Sequence, residues 1–116
     1  MDFKVVKRRR MIREYNSYRQ QIPDQIITKL LKNAHKAPSG HTQVEEFIIV
    51  KDASTKKKLR KAAVDQEYVE KAPLLIVVCS NISHSVGRYG SRGKELYGIW
   101  MVYLLQCLFC LLCRLM

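Results

Sequence analysis

The sequence predicts one small layered domain of the α+β or α/β class. Its 116 residues suffice for a single domain. One segment has the apolar spacing of an amphipathic helix, and two short apolar runs between polar ends have the character of strands. The predicted order is helix, helix, strand, helix, strand, helix. Two strands are too few for a finished sheet, so we expect the first part of a larger sheet domain.

Three helices are predicted before the last strand. A short one opens in "DFKVVKRRRM", with Asp2 as its cap. Pro23 suits the first turn of the second helix, because the missing N–H has no helical partner there. One face of that helix is apolar and contains Ile26, Ile27, Leu30, Leu31 and Ala34. Ser54 is the expected cap of the third helix, "TKKKLRKAA".

The two predicted strands differ in their surroundings. "EFIIVKD", from Glu46, is a short apolar run between polar ends. "LLIVVCS" follows Pro73 and is continuously apolar and rich in β-branched residues, which predicts a strand covered on both faces. Three spaced glycines in "HSVGRYGSRGKELYGI" then precede the final helix.

The net charge is strongly positive, at +11. Residues 1–19 hold seven Lys and Arg against two acids, and residues 51–61 hold six against one. Such a field attracts phosphates, nucleic acid or anionic lipid, and the charge alone does not choose among them. No secretory h-region follows the early basic residues, so we expect a reducing cytoplasm and free thiols.

The segment from Ile99 to Cys113 is apolar except for Gln106. It is shorter than the about 20 residues of a membrane span, although a tail anchor stays an alternative. Cys107, Cys110 and Cys113 are spaced as C-x2-C-x2-C, as in iron–sulfur proteins. A matching fourth ligand and its proline are absent from this motif, so no metal is expected.

Four stretches, in order, resemble the nitroreductase family of FMN-dependent oxidoreductases. They are "RRMIREY", "LLKNAHKAPSGHTQVEEFIIVKD", "YVEKAPLLIVVCS" and "RYGSRGKELYGI". The chain departs from the family at Met11, usually a small polar residue, and at Val44-Glu45, usually Pro-Trp. The resemblance implies an α+β fold with a nitroreductase-like mixed sheet and flanking helices, incomplete at the C-terminus.

The resemblance also implies a cofactor site without a catalytic side chain. Arg9 and Arg10 match positions that reach the FMN phosphate and ribityl chain, and Arg13 matches a basic position near the N1–O2 edge of the ring. A second flavin contact would use Ser39, Gly40 and Gln43, and Gln66 would face the pyrimidine edge. Arg88 and Tyr89 lie in a segment that shapes the substrate pocket in relatives.

The activity implied is reduction of nitroaromatic or quinone-like acceptors with NAD(P)H, in a cleft between the subunits of a homodimer. Residues 1–99 would form the N-terminal part of the domain, and residues 100–116 a central helix altered by frameshift or truncation. The fixed codons of Trp100 and Met101, with the first two bases of the Val102 codon, encode Asp and Gly in the frame one base earlier, and "DGVSAAV" resembles the family's central helix. The alternatives are a basic nucleic-acid-binding module and a small tail-anchored membrane protein.

Overall fold

The structure is a computed structural model that describes residues 4–15, 21–36 and 43–115. The described residues contain six α-helices, two strands and one π-helical turn. In chain order these are α1 Lys4–Arg8, α2 Asp24–Ala34, β1 Glu45–Val50, α3 Ala53–Ala62, α4 Glu67–Lys71, β2 Leu75–Ser80, α5 Ile82–Arg92, the π-helical turn Gly93–Tyr97 and α6 Gly98–Leu115. The expected α+β class is confirmed.

Helix α2 has the amphipathic face that its sequence predicts. Ile27, Leu30 and Ala34 are buried, whereas Ile26, on the margin of the apolar face, stays largely exposed. Pro23 is the residue just before the helix, and its carbonyl accepts the backbone N–H of Ile26 at 3.0 Å. Proline thus begins the helix without an unsatisfied donor of its own.

The predicted cap of α3 is wrong. Asp52, not Ser54, occupies the N-cap position, and its Oδ2 accepts the backbone N–H of Thr55 at 2.8 Å. The Ser54 hydroxyl donates to the same carboxylate at 2.7 Å. The positive end of the helix dipole also stabilises the charge of the Asp52 carboxylate.

Strands β1 and β2 form an antiparallel pair, with Glu45 opposite Ser80 and Val50 opposite Leu75. The backbone N–H of Asn81 donates to the Val44 carbonyl at 2.6 Å and extends the pairing by one step. The expectation that β2 is covered on both faces is wrong, because each of its residues is only half-buried. Among the described residues β2 has β1 as its one neighbouring strand, so its other edge has no strand partner there.

The chain from α5 to α6 is continuous but irregular. Gly90 has a φ of 54°, a left-handed conformation that glycine adopts without steric cost, and it kinks α5. Gly93 begins the π-helical turn and is buried against the backbone of Ser85. The turn then leads directly into α6, which contacts α1, α2 and β2.

The hydrophobic core lies where α6 crosses α2 and the sheet. Met101 and Leu105, four residues apart on one face of α6, are buried there, with Leu105 only 1% exposed. On the other side of α6, Ile99, Trp100, Tyr103 and Leu104 are each at least half exposed. The core residues are Ile27, Leu30, Ala34, Val44, Val50, Ala72, Met101 and Leu105.

Candidate functional site

The three arginines of the "RRMIR" stretch lie beyond the end of α1. Arg9, Arg10 and Arg13 are exposed, in an irregular segment that continues to Tyr15. Among the described residues, neither Arg9 nor Arg10 forms an ion pair with a carboxylate. Their guanidinium groups therefore keep their planar sets of N–H donors for another anion, and phosphate suits that geometry.

Arg13 is held against an aromatic ring. Its Cζ lies 5.9 Å from the centroid of the Tyr68 ring, in the range of a cation–π contact. The Tyr68 hydroxyl in turn donates to Oε1 of Gln66. The structure thus brings together Arg13 and Gln66, two predicted flavin ligands that are far apart in sequence, and Tyr68 joins them.

Gln66 follows a turn in which two residues are left-handed. Val64 has a φ of 57° and Asp65 a φ of 56°. Gln66 is the N-cap residue of α4, but its side chain makes no capping hydrogen bond. Its amide oxygen is instead engaged by Tyr68, which leaves the amide N–H₂ as a donor.

Arg60, at the end of α3, bridges the two sides of this turn. Its Nε donates to Asp65 at 2.8 Å, and its Nη1 donates to Glu70 at 3.0 Å. The hydrogen bonds to Glu70 and Asp65 raise the pKa of the Arg60 guanidinium above its ordinary value. Neither Arg60 nor Tyr68 was predicted from the sequence as a site residue. Arg60 stands within the basic run "KKKLRK", which is typical of a solvated helix face.

Gln43 is the one described residue of the second predicted flavin contact, and it lies between the end of α2 and α5. Gln43 Nε2 donates to the His35 carbonyl at 3.3 Å, and the Gln43 carbonyl lies 3.3 Å from Nδ1 of His84. His35 Nδ1 is 3.2 Å from a buried carboxylate oxygen of Glu45. Ser39 and Gly40, the other two residues of this contact, lie outside the described residues.

The two residues predicted to shape a substrate pocket lie on α5. Arg88 is exposed, whereas Tyr89 is half-buried. The rings of Tyr89 and Tyr97 pack at 4.7 Å between centroids, which fixes Tyr89 against the π-helical turn. A substrate role for this pair stays a prediction.

Two open grooves lie on the α2 side of the molecule. One, of about 610 Å³, runs along the exposed face of α2 between Asp24 and Lys36. The other, of about 550 Å³, lies between α2 and the start of β1 and includes His35 and Glu45. Neither is lined by the arginines of residues 9–13 or by Gln66. Of the predicted flavin ligands that the structure describes, none lines either groove.

Two features are absent from the described part of the chain. It contains no helix with both the length and the apolar character needed to cross a membrane. It also contains no group of three or more His, Cys, Asp or Glu side chains suited to hold a metal ion.

The fold defines the class of protein. Nitroreductase A of Vibrio parahaemolyticus superposes on 93% of this chain, with a TM-score of 0.76 and 24% identity, and the match covers 47% of that protein. The fold is therefore that of nitroreductases. The sequence model of the nitroreductase family matches residues 6–105, and the chain belongs to that family.

Curated relatives agree with this assignment over part of their length. An NADH dehydrogenase of Thermus thermophilus is 32% identical over 80 residues, which are 68% of this chain and 38% of that protein. Human iodotyrosine deiodinase 1 is 32% identical over 68 residues, or 58% of this chain and 23% of the relative. The chain thus spans less than half the length of these relatives.

Proposed function

We propose that the protein is an FMN-dependent oxidoreductase that uses NADH or NADPH to reduce nitroaromatic or quinone-like acceptors. Family membership supports an oxidoreductase, and the name of the Thermus relative supports a nicotinamide donor. The observation that carries the proposal is the contact series Arg13–Tyr68–Gln66. It joins two segments, far apart in the sequence, that the family resemblance assigns to the flavin.

The donors in this region fit FMN. The cofactor carries a dianionic phosphate, and Arg9 and Arg10 are exposed cations without a described acidic partner. Arg13 is held by the face of an aromatic ring and not by a carboxylate, so its N–H donors are not neutralised. Gln66 retains its amide N–H₂ for the carbonyl groups of a flavin ring.

Each residue would have a distinct task in the reaction. When bound, FMN supplies the chemistry of accepting a hydride and passing two electrons to the acceptor. Arg9 and Arg10 hold the phosphate, and Arg13 places a positive charge where the ring gains electron density. Gln66 donates a hydrogen bond to the ring edge and orients it. This proposal requires no protein nucleophile.

We further propose that the protein acts as a homodimer in the cytoplasm. The exposed side of α6 presents large apolar side chains, including Trp100, 60% exposed, and Tyr103, 62% exposed. Contiguous apolar surface of this kind is typical of association sites, and a second copy is the commonest partner.

The proposal is tested by titrating the full chain with FMN and following flavin fluorescence. The double variant R9A/R10A should weaken FMN binding by tenfold or more, because a hydrogen bond to a charged group contributes about 1.5–3 kcal/mol. The control K57A/K58A removes the same charge from exposed positions on α3. If both double variants bind FMN equally well, the arginines do not form the phosphate site.

A further inference from the structure

The turn before Gln66 has an unfavourable backbone conformation. Val64 and Asp65 are both left-handed, with φ values of 57° and 56°. Asp tolerates this region, but a β-branched residue does so rarely, since its side chain crowds the backbone. Val64 is 87% exposed, so packing of its side chain cannot compensate. Something else in the structure must hold the turn.

Arg60 provides that restraint from both sides of the turn. Its guanidinium joins Asp65, within the turn, to Glu70 in α4, and its carbonyl accepts the backbone N–H of Asp65 at 3.0 Å. The Arg60 side chain is 29% exposed and that of Glu70 is 36% exposed, so this ion pair is partly shielded from water, whereas the Asp65 side chain is 70% exposed. A partly shielded pair fixes geometry better than a fully exposed pair does.

The restrained turn determines where Gln66 lies. The backbone N–H of Gln66 donates to the Ala63 carbonyl at 3.4 Å, across the left-handed residues. The Gln66 side chain then meets the Tyr68 hydroxyl, and the Tyr68 ring receives Arg13. An alternative turn conformation would move Gln66 away from Arg13.

We propose that Arg60 is a positioning residue: through Asp65 and Glu70 it holds the Val64–Asp65 turn in the conformation that presents Gln66 to the flavin. This inference rests on the proposed FMN-binding function. Arg60 itself need not touch the cofactor. Its effect on FMN must therefore pass through Gln66, which is the feature that an experiment can isolate.

The test compares R60M, Q66A, the double variant R60M/Q66A and the control K57M, all in the full chain. K57M removes one charge from the same helix at an exposed site. In the FMN-free chain, R60M should speed hydrogen exchange at the amide of Asp65 by roughly threefold or more, whereas K57M should not. This measurement tests the restraint without the cofactor.

Binding of FMN then tests the link to the site. R60M and Q66A should each raise the Kd for FMN by roughly threefold or more, and should alter the visible spectrum of bound FMN in the same way. The double variant should bind like Q66A alone, because coupled residues are not additive. Additive losses would show that Arg60 acts only on overall stability and would overturn the proposal.

The remaining outcomes are also decisive. If R60M speeds exchange but leaves the Kd unchanged, the turn is restrained but does not serve the flavin, and the positioning role is wrong. If the wild-type chain binds no FMN, the proposed function fails and the positioning role fails with it. The exchange result would still report on the restraint of the turn.

Discussion

The close packing of Gly93 allows a sharp test of the fold. A Cβ atom built on Gly93 would lie 2.4 Å from the carbonyl oxygen of Ser85 and 2.6 Å from its carbonyl carbon. Both are backbone atoms of α5, so neither can move without displacing that helix. Gly87, within α5 itself, offers a matched control, because a Cβ there would have no neighbour within 4 Å.

The two alanine variants should change stability in opposite directions. In an open helical position, replacing Gly by Ala stabilises by up to about 1 kcal/mol, which is the expected gain for G87A. At Gly93 the same gain is outweighed, because overpacking a tight site costs about 1–3 kcal/mol, and a backbone clash lies at the upper end. G93A should therefore lower the free energy of unfolding by about 2 kcal/mol net.

The measurement is urea unfolding of both variants, followed by far-ultraviolet circular dichroism. If the free energy of unfolding falls with urea at a similar slope in all proteins, the shifts in midpoint report stability and not a change in the compactness of the unfolded state. A G93A variant as stable as the wild type would refute the packing of the π-helical turn on Ser85. A destabilised G87A variant would refute the assignment of that residue to an exposed helical surface.

Three further predictions follow from burial, charge and the exposed face of α6. L105A should lower the free energy of unfolding in urea by about 2–5 kcal/mol, whereas L104A, at a half-exposed site, should cost far less. Hydrogen bonds from Ser54 and Thr55 lower the pKa of Asp52 from 3.8 to about 2. The stability that Asp52 contributes is thus present above pH 3.8 and lost as the pH falls through about 2. Over that range, acid titration of D52N should show a flatter decline of the free energy of unfolding than that of the wild type. Sedimentation analysis at micromolar concentration should show a dimer, and a monomer with and without FMN would contradict the two-chain cleft.

Regular elements could be predicted from the sequence because their signals are local. The spacing of Ile27, Leu30 and Ala34 predicts the buried face of α2, and the apolar run of β2 predicts a strand. The cap of α3 was misassigned because Asp52 and Ser54 are both good capping residues, and the choice between them depends on where the first turn begins. The sequence does not predict the left-handed conformation of Val64, since valine ordinarily avoids that conformation.

The candidate site could be predicted only in part for a similar reason. Arg9, Arg10 and Arg13 could be predicted as flavin ligands because they stand in one short stretch that resembles a family motif. Tyr68 and Arg60 were missed because their roles depend on contacts between elements distant in sequence. Arg60 differs from its lysine neighbours by being half-buried and doubly paired, which no pattern of charges reveals.

The π-helical turn determines which side of α6 faces inward. Each residue of an α-helix advances the side chains by about 100°, so adding or removing one residue rotates everything that follows by that angle. Gly93 is anchored on Ser85 at one end of the turn, and Met101 and Leu105 are anchored in the core beyond it. Deleting Glu95 would rotate the core face of α6 toward solvent and bring other side chains inward. The π-helical turn thus determines which side chains of α6 face the core. Insertions or deletions in this turn should be far less tolerated than substitutions.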